Sequence, residues 1–459
     1  DLIKLGVQFS GESDSEVLLY ALIKWGKDIL PRLNGMFSLA LWDREKKNLL
    51  LARDRYGIKP LYIYQDSKTF LFASEQKAII SVPGFEKRLN KQGLFEYFTF
   101  QNFITKYTLL ENIEILPAGH VLILNLEESG LIRKELNQYW DFNFCEPSKI
   151  LTKEDYLEEL DRLFNKAVKR QLVSDVEIGS YLSGGIDSGS ITALTSNKIF
   201  NLKTFTCGFD LSSASGIEMF FDERKSAEKI STLFNTEQYE ILIKSGDMEK
   251  CLSSLAWHLE EPRVGQSYPN FYVAGLASKF VKVVLSGIGG DEIFGGYPWR
   301  YYKAASCKNF EDFIDKYYSY WQRLLKKEEI KLLFSPIWKS VADVDTKKIF
   351  SDVFNNHHKG IERKEDLINH SLFFEAKTFL HSLFIVEDKL SMAHGLETRV
   401  PFMDNDLVEF AMKCPVSLKL KDLNKIKKRK ENYISKKQDK LFFRSNDGKN
   451  ILREVMKLY

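Results

Sequence analysis

The stretch V-E-I-G-S-Y-L-S-G-G-I-D-S-G, residues Val176 to Gly189, decides how the rest of this chain is read. Apolar and β-branched residues from Val176 to Leu182 predict a short buried strand, which Gly184, Gly185, Asp187 and Ser188 break into a tight turn. A helix is expected next, with Ser188 or Asp187 as its N-cap and Ile191, Leu194 and Thr195 recurring at helical spacing. Strand, glycine turn and helix N-terminus together make an anion cradle: glycine lets the backbone come close, and unpaired N–H groups and the helix dipole face the ligand. The expected ligand is a phosphate. An ordinary βα turn, in which the glycines only relieve strain, is the bland alternative. The string has neither the lysine of G-x-x-x-x-G-K-S/T nor the spacing of G-x-G-x-x-G, so neither of those signatures applies.

Outward from this stretch the pattern repeats. A helix from Lys153 to Gln171 carries Tyr156, Leu157, Leu160, Leu163, Phe164 and Val168 on one face and leads into the opening strand. Strands are then expected at Lys203–Phe209, Gln238–Ile243 and Val281–Ser286, separated by helices, which predicts a parallel sheet with right-handed crossovers. Ligands of such sheets sit beyond the carboxyl ends of the strands. The last strand ends in S-G-I-G-G-D-E-I-F-G-G-Y, Ser286 to Tyr297, a second glycine turn expected at the same edge. Asp291 and Glu292 would face a ligand there. Two glycine loops, each carrying an Asp after a buried strand, point to a phosphate and metal site.

The first third reads differently. Met36–Asp43 with Asn48–Arg53, and Leu61–Tyr64 with Thr69–Ala73, are expected as antiparallel hairpins, with R-D-R-Y-G-I-K-P between them as a structural corner. Further strands are expected at Ile113–Leu116 and His120–Asn125. From Tyr301 the chain reads mostly helical, with one long helix from Phe374 to Met392. A length of 459 residues, 44% of them hydrophobic, suggests more than one domain, and a net charge of +3 gives no reason to expect a polyanion partner. No apolar run reaches the roughly 20 residues that span a bilayer, so no membrane partner is expected; the near-neutral charge gives no nucleic-acid partner either, and the location is expected to be cytoplasmic. The five cysteines are scattered, without C-x-x-C spacing, and are expected to be buried free thiols. From Lys419 to Lys440 ten Lys or Arg stand against three acidic residues; without aromatic interleaving this tract reads as a solvated or disordered loop.

Several of these strings resemble one family. S-G-G-x-D-S resembles the pyrophosphate loop of the ATP pyrophosphatases. N-G-M-F-S-L-A-L-W-D, L-A-R-D-R-Y-G-I-K-P-L-Y, F-A-S-E and L-P-A-G-H resemble the glutaminase domain of the glutamine-hydrolysing (class B) asparagine synthetases. S-G-I-G-G-D-E-I-F-G-G-Y, M-A-H-G-L-E-T-R-V-P-F-M-D and D-G-K-N-I-L-R resemble their synthetase domain. The resemblance implies a two-domain α/β and α+β chain. Residues 1–145 would be an incomplete N-terminal-nucleophile (αββα) glutaminase domain, and residues 150–459 an ATP-pyrophosphatase, adenine nucleotide α-hydrolase-like, parallel-sheet domain with a helical C-terminal part. The nucleophilic Cys, a substrate-binding Arg and an N-G-E-I-Y-N element of that family would precede Asp1. The chain is therefore expected to be a fragment, lacking also a C-terminal tail, whose glutaminase half is not competent by the family's mechanism.

By the same resemblance Ser183, Gly184, Gly185, Asp187 and Ser188 would hold pyrophosphate, while Tyr181, Leu182 and Cys207 lie along the nucleotide. Ser286 and Gly287 would approach the ribose, Asp187 and Asp291 would bind Mg2+, and Lys449 would be catalytic, meeting pyrophosphate and transition-state charge. Asp14 would contact the glutamine amine, or else N-cap the helix Glu16 to Trp25. Asp388, Glu397, Arg399 and Asp404 would form a structural charged network. At Ile288 many family members carry an acidic or polar residue that helps manage protons on the amine, and S-Y-P-N (Ser267–Asn270) also departs from the commoner pattern. The implied function is conversion of aspartate to asparagine through β-aspartyl-AMP, with ATP and Mg2+ as cofactors, ammonia from glutamine, and a homodimer left open. The alternatives are amidation of another carboxylate such as a sugar acid, a β-lactam-synthetase-like cyclase, or a non-catalytic nucleotide-binding relative.

Overall fold

A computed structural model describes residues 1–67, 69–127, 132–149, 151–210, 212, 222–263, 267–357, 360–421 and 447–459. The strands in chain order are β1 (Ser38–Asp43), β2 (Asn48–Arg53), β3 (Tyr62–Gln65), β4 (Phe70–Ala73), β5 (Ile113–Ile115) and β6 (His120–Leu126). They continue as β7 (Ile132–Gln138), β8 (Ile178–Tyr181), β9 (Lys203–Phe209), β10 (Glu237–Ile243), β11 (Val283–Leu285) and β12 (Glu397–Arg399). Packing divides the chain into two units, residues 1–61 with 116–141, and residues 62–115 with 142–459. The units interleave along the chain.

In the first unit β1, β2, β6 and β7 form an antiparallel sheet in that order. The β1–β2 hairpin closes because Asp43 Oδ1 accepts the backbone N–H groups of Glu45 and Lys46 at 3.0 Å each, a turn built by the aspartate side chain. Leu30, Leu50, Ala52 and Val121 form the core beneath it. The corner R-D-R-Y-G-I-K-P is structural. Arg53 is fully buried and donates to the carbonyls of Gly57, Lys59 and Leu116, while Asp54 accepts the N–H groups of Tyr56, Ile58 and Lys59. Buried charges persist here because each is matched by hydrogen bonds.

In the second unit β4, β3 and β5 make a small antiparallel sheet whose Tyr62, Ile113 and Ile115 pack on Ile385 of the helix Leu380–Met392. The larger sheet is wholly parallel, in the order β10-β9-β8-β11-β12. The α/β class and parallel sheet expected from the alternating pattern are thus observed. The strand order reverses between β8 and β11, which are adjacent, with Val283 opposite Ile178 and Leu285 opposite Ser180. That reversal opens a crevice at the carboxyl ends of the two strands that carry the glycine loops.

Several boundaries differ from expectation. The opening strand is Ile178–Tyr181, and Val176, 48% exposed, lies outside it. β12 is too short to read from sequence; it joins the sheet as an edge strand, with Glu397 opposite Lys282's neighbour Val283. The expected long helix begins with a π-helical turn, Glu375–Phe379, before Leu380–Met392. There Glu375 is fully buried and receives hydrogen bonds from Tyr301 and Tyr317, contacts that a uniform α-helix would have to re-aim. All five cysteines are free, but Cys145 is exposed and Cys207 half-buried, so burial holds only for the other three. Arg399 pairs with Glu397, and Arg170 with Asp404, the latter also capping the helix Asn405–Lys413. Lys419, at the head of the basic tract, is buried beside Phe144 rather than solvated; residues 422–440 of that tract lie outside the described residues. Among the described residues no helix is long and apolar enough to cross a membrane.

Candidate active site

The helix after β8 runs Ile186–Ser196 and its N-cap is Gly185, without a side-chain cap. Asp187 and Ser188 are therefore first-turn residues and not caps. Their displacement has a local cause: Ser188 Oγ turns back to meet Ser183 Oγ at 2.9 Å and the Ser183 N–H at 3.0 Å, while Ser183 Oγ accepts from Gly185 N at 3.1 Å. The two serines thus brace the loop, and the helix N-terminus is left facing the crevice, where its orphan N–H groups suit an anion.

The second glycine loop packs directly on the first. A Cβ at Gly287 would stand 2.9 Å from Ser188 N, and one at Gly290 would stand 2.6 Å from Asp187 Cγ, so only glycine permits this approach. The helix Gly290–Phe294 then presents Asp291 and Glu292. Glu292 is buried, hydrogen-bonded by Tyr297 Oη at 2.9 Å, and pushed up to about 8 by burial and by the neighbouring Asp291 charge.

From the far end of the chain comes Lys449, 6% exposed, at the start of the helix Asn450–Val455 in a left-handed conformation (φ 54°). Its Nζ lies 2.5 Å from Asp187 Oδ2 and 2.5 Å from Asp291 Oδ1. Burial alone would depress the ammonium, but the two carboxylates more than offset this and hold it above its ordinary range. Burial raises Asp187 to about 7 despite Lys449, with Asp291 adding repulsion. Asp187 Oδ1 remains buried without a hydrogen-bond partner. Two acidic oxygens and one ammonium in this crevice make a centre that can exchange its internal pairing for an anion and a cation.

A cavity of about 470 Å3 joins these groups. Tyr181, Leu182, Ser183, Gly185, Asp187, Ser188, Cys207, Ser286, Gly287, Asp291 and Lys449, singled out from sequence, all line it. Gly184 does not; a Cβ there would strike Ser226 Cβ at 2.3 Å, so it serves the approach of the helix Arg224–Leu233. Cys207 is pushed up to about 12 by burial and by Asp222, which keeps it a neutral thiol. Asp14 lies in the other packing unit, as the first residue of the helix Asp14–Trp25, and the cap of that helix is Ser13, whose side chain accepts from Ser15 N. Asn270, the last residue of the variant S-Y-P-N string, and Glu387 also line the cavity; the only sequence signal for Glu387 is an acid in the otherwise apolar run F-I-V-E.

Comparison with known proteins gives the family of the chain. A family model described as asparagine synthase matches residues 159–459, and one described as a glutamine amidotransferase domain matches residues 1–140. The chain is 31% identical over 439 residues to glutamine-hydrolysing asparagine synthetase 3 of Bacillus subtilis, covering 91% of this chain and 67% of that protein. It is 32% identical over 299 residues to a putative glutamine-hydrolysing asparagine synthetase 2 of Methanocaldococcus jannaschii, covering 64% and 56%. A putative asparagine synthetase of Mycobacterium tuberculosis is 28% identical over 449 residues, covering 90% and 66%. The chain thus spans about two thirds or less of the length of these relatives. With matching models over both parts of its length and both glycine loops folded into one crevice, the chain belongs to the asparagine synthase family.

Proposed function

We propose that the protein is an ATP-dependent amidotransferase that adenylates a carboxylate, aspartate in the first reading, and transfers ammonia to it, the ammonia coming from glutamine in the whole protein. The observation that carries the reading is Lys449 reaching both Asp187 and Asp291 between the two glycine loops. A carboxylate is a poor electrophile because its oxygen leaves badly, and AMP is a far better leaving group. The N–H groups at the start of the helix Ile186–Ser196 receive the phosphates, and Lys449 balances the charge that develops on departing pyrophosphate. Tyr181, Leu182 and Cys207 flank the nucleotide, Ser286 and Gly287 its ribose, and Asp14 the glutamine amine; the domains are taken as 1–145 and 150–459.

Asp187 and Asp291 fit a magnesium ion. Among the described residues no group of three or more His, Cys, Asp or Glu is placed to hold a metal, yet magnesium is commonly held by one or two carboxylates plus substrate phosphates. The orphaned Oδ1 of Asp187 is suited to be one such ligand. When bound, the ion supplies charge neutralisation on the pyrophosphate.

A second reading, amidation or cyclisation of a different carboxylate, is favoured by the acceptor wall. Ile288 lines it, and among the described lining residues Lys449, already shared by two acids, is the cation, leaving none for the α-carboxylate of aspartate. Pyrophosphate release from ATP with ammonium, run against a panel of carboxylates, tests both. Release that requires aspartate supports the first reading, and release with another acid instead moves it to the second. No release with any acid, joined to an unimpaired Asp187→Ala variant in cells, would leave a nucleotide-binding scaffold.

A further inference from the structure

One buried acid on the cavity wall has no part in holding the nucleotide. Glu387, on the helix Leu380–Met392, is 8% exposed and lines the same cavity as both glycine loops. Its Oε2 accepts from Asn270 Nδ2 at 3.3 Å, and its Oε1 is buried with no hydrogen-bond partner. Folded chains rarely leave a buried carboxylate oxygen unpaired, because its lost hydration is then uncompensated. An orphaned acceptor on a residue that lines the cavity is thus prepared for a donor that arrives with a ligand.

The neighbours narrow the choice of donor. Ile288, Val273 and Leu383, which line the same cavity, have no side-chain N–H or O–H; Tyr181, the lining hydroxyl that feels the Glu387 charge, makes no hydrogen bond to it; and Lys449 is already held between Asp187 and Asp291. We infer that Glu387, steadied by Asn270, receives the amine nucleophile and takes the proton it sheds when the amide forms. The inference rests on the amidotransferase reading. In the step, the nitrogen lone pair forms the bond to the acyl carbon and the bond from that carbon to the AMP phosphate oxygen breaks. AMP leaves with that electron pair, and one N–H proton passes to Oε1 of Glu387. Burial, with Asp388 adding repulsion, holds the Glu387 carboxyl at about 7, where it can accept a proton and release it again near neutral pH.

The test uses the enzyme with ATP, its acceptor and ammonium, and reads two rates. Acceptor-dependent ATP–pyrophosphate exchange reports adenylation alone, and amide formation reports the whole sequence. In Glu387→Gln, amide formation is expected to fall at least about 100-fold further than exchange does, the usual size of a lost general base. Hydroxylamine, largely unprotonated near neutral pH, is expected to recover most of the loss. Glu387→Asp, which keeps the charge, recovers part of it, and Asn270→Ala raises the KM for ammonium more than it lowers kcat. Equal losses of exchange and amide formation, or no loss of either, overturn the assignment of Glu387. A wild type without acceptor-dependent exchange refutes the amidotransferase reading itself and takes this inference with it.

Discussion

Gly296→Ala separates the chemistry of the site from the stability of the fold. A Cβ on Gly296 would stand 1.7 Å from Asp291 Oδ1 and 2.5 Å from Lys449 Cε. Side-chain Cβ contacts essentially never fall under 3.0 Å, so the methyl group must push the oxygen away by about 1.3 Å and the lysine carbon by about 0.5 Å, the shortfalls from that limit. Both atoms end flexible side chains, and the Asp291 side chain is 32% exposed, so the fold can absorb the movement. Gly296 is not a positive-φ glycine, and alanine adds no backbone strain there. The 2.5 Å contact of Lys449 with Asp291, however, does not survive a shift of this size. A misplacement of about 1 Å in a reacting constellation costs about 100-fold in rate, or about 2.7 kcal/mol of barrier. The assay is acceptor-dependent ATP–pyrophosphate exchange beside a thermal melt, with exchange expected to fall about 100-fold while Tm moves by only about 2–4 °C. Full exchange in a folded Gly296→Ala protein would refute the role given to the three-way contact. Gly448→Ala is the counter-case: its Cβ would stand 2.3 Å from the carbonyl oxygen of Gly295, a backbone atom that cannot swing aside, so stability and activity are expected to fall together.

Lys449→Met removes the ammonium that lowers Asp187, so the carboxyl rises beyond about 7, and exchange is expected to drop by about 100-fold or more, with little recovery at higher ammonium concentration. Asp54→Ala leaves the N–H groups of Tyr56, Ile58 and Lys59 without their acceptor and is expected to cost about 2–4 kcal/mol, read from urea unfolding. Glu387 gives a pH signature. Burial and Asp388 lift it from an ordinary 4.5 to about 7, so the folded chain binds the proton more tightly than the unfolded one and stability falls as pH rises through that window. Between pH 4.5 and 7 the loss is at most about 3–4 kcal/mol, and Glu387→Gln should flatten that part of the wild-type profile; Tyr181, whose hydroxyl feels Glu387, and Asp388 are the titratable neighbours to hold constant. An unchanged profile would refute the burial assigned to this carboxyl.

The local periodicities were legible without coordinates. Lys153–Gln171 is the helix its apolar stripe predicts, because it buries one face, and β2 and β9 have the predicted limits, because consecutive residues of each are buried and apolar runs of that length mark such strands. The two glycine loops were also legible as strings, although what makes glycine necessary at 184, 287 and 290 is the close approach of Ser226, Ser188 and Asp187, a proximity the strings do not name. What the sequence could not specify is which parts meet. Gly185 rather than Asp187 or Ser188 caps its helix because Ser188 is drawn back to Ser183. β12 is a strand only because the exposed edge of β11 offers its three residues a ladder. Asn270 and Glu387 stand 117 positions apart, and Lys449 meets Asp187 across 262, distances at which no periodicity carries information. The loops and the elements that carry them follow from neighbouring residues. Only the order of the strands, reversing between β8 and β11, decided that both loops, a distant lysine and an unpaired glutamate would line one crevice, because burial and hydrogen-bond closure are settled between elements and not within them.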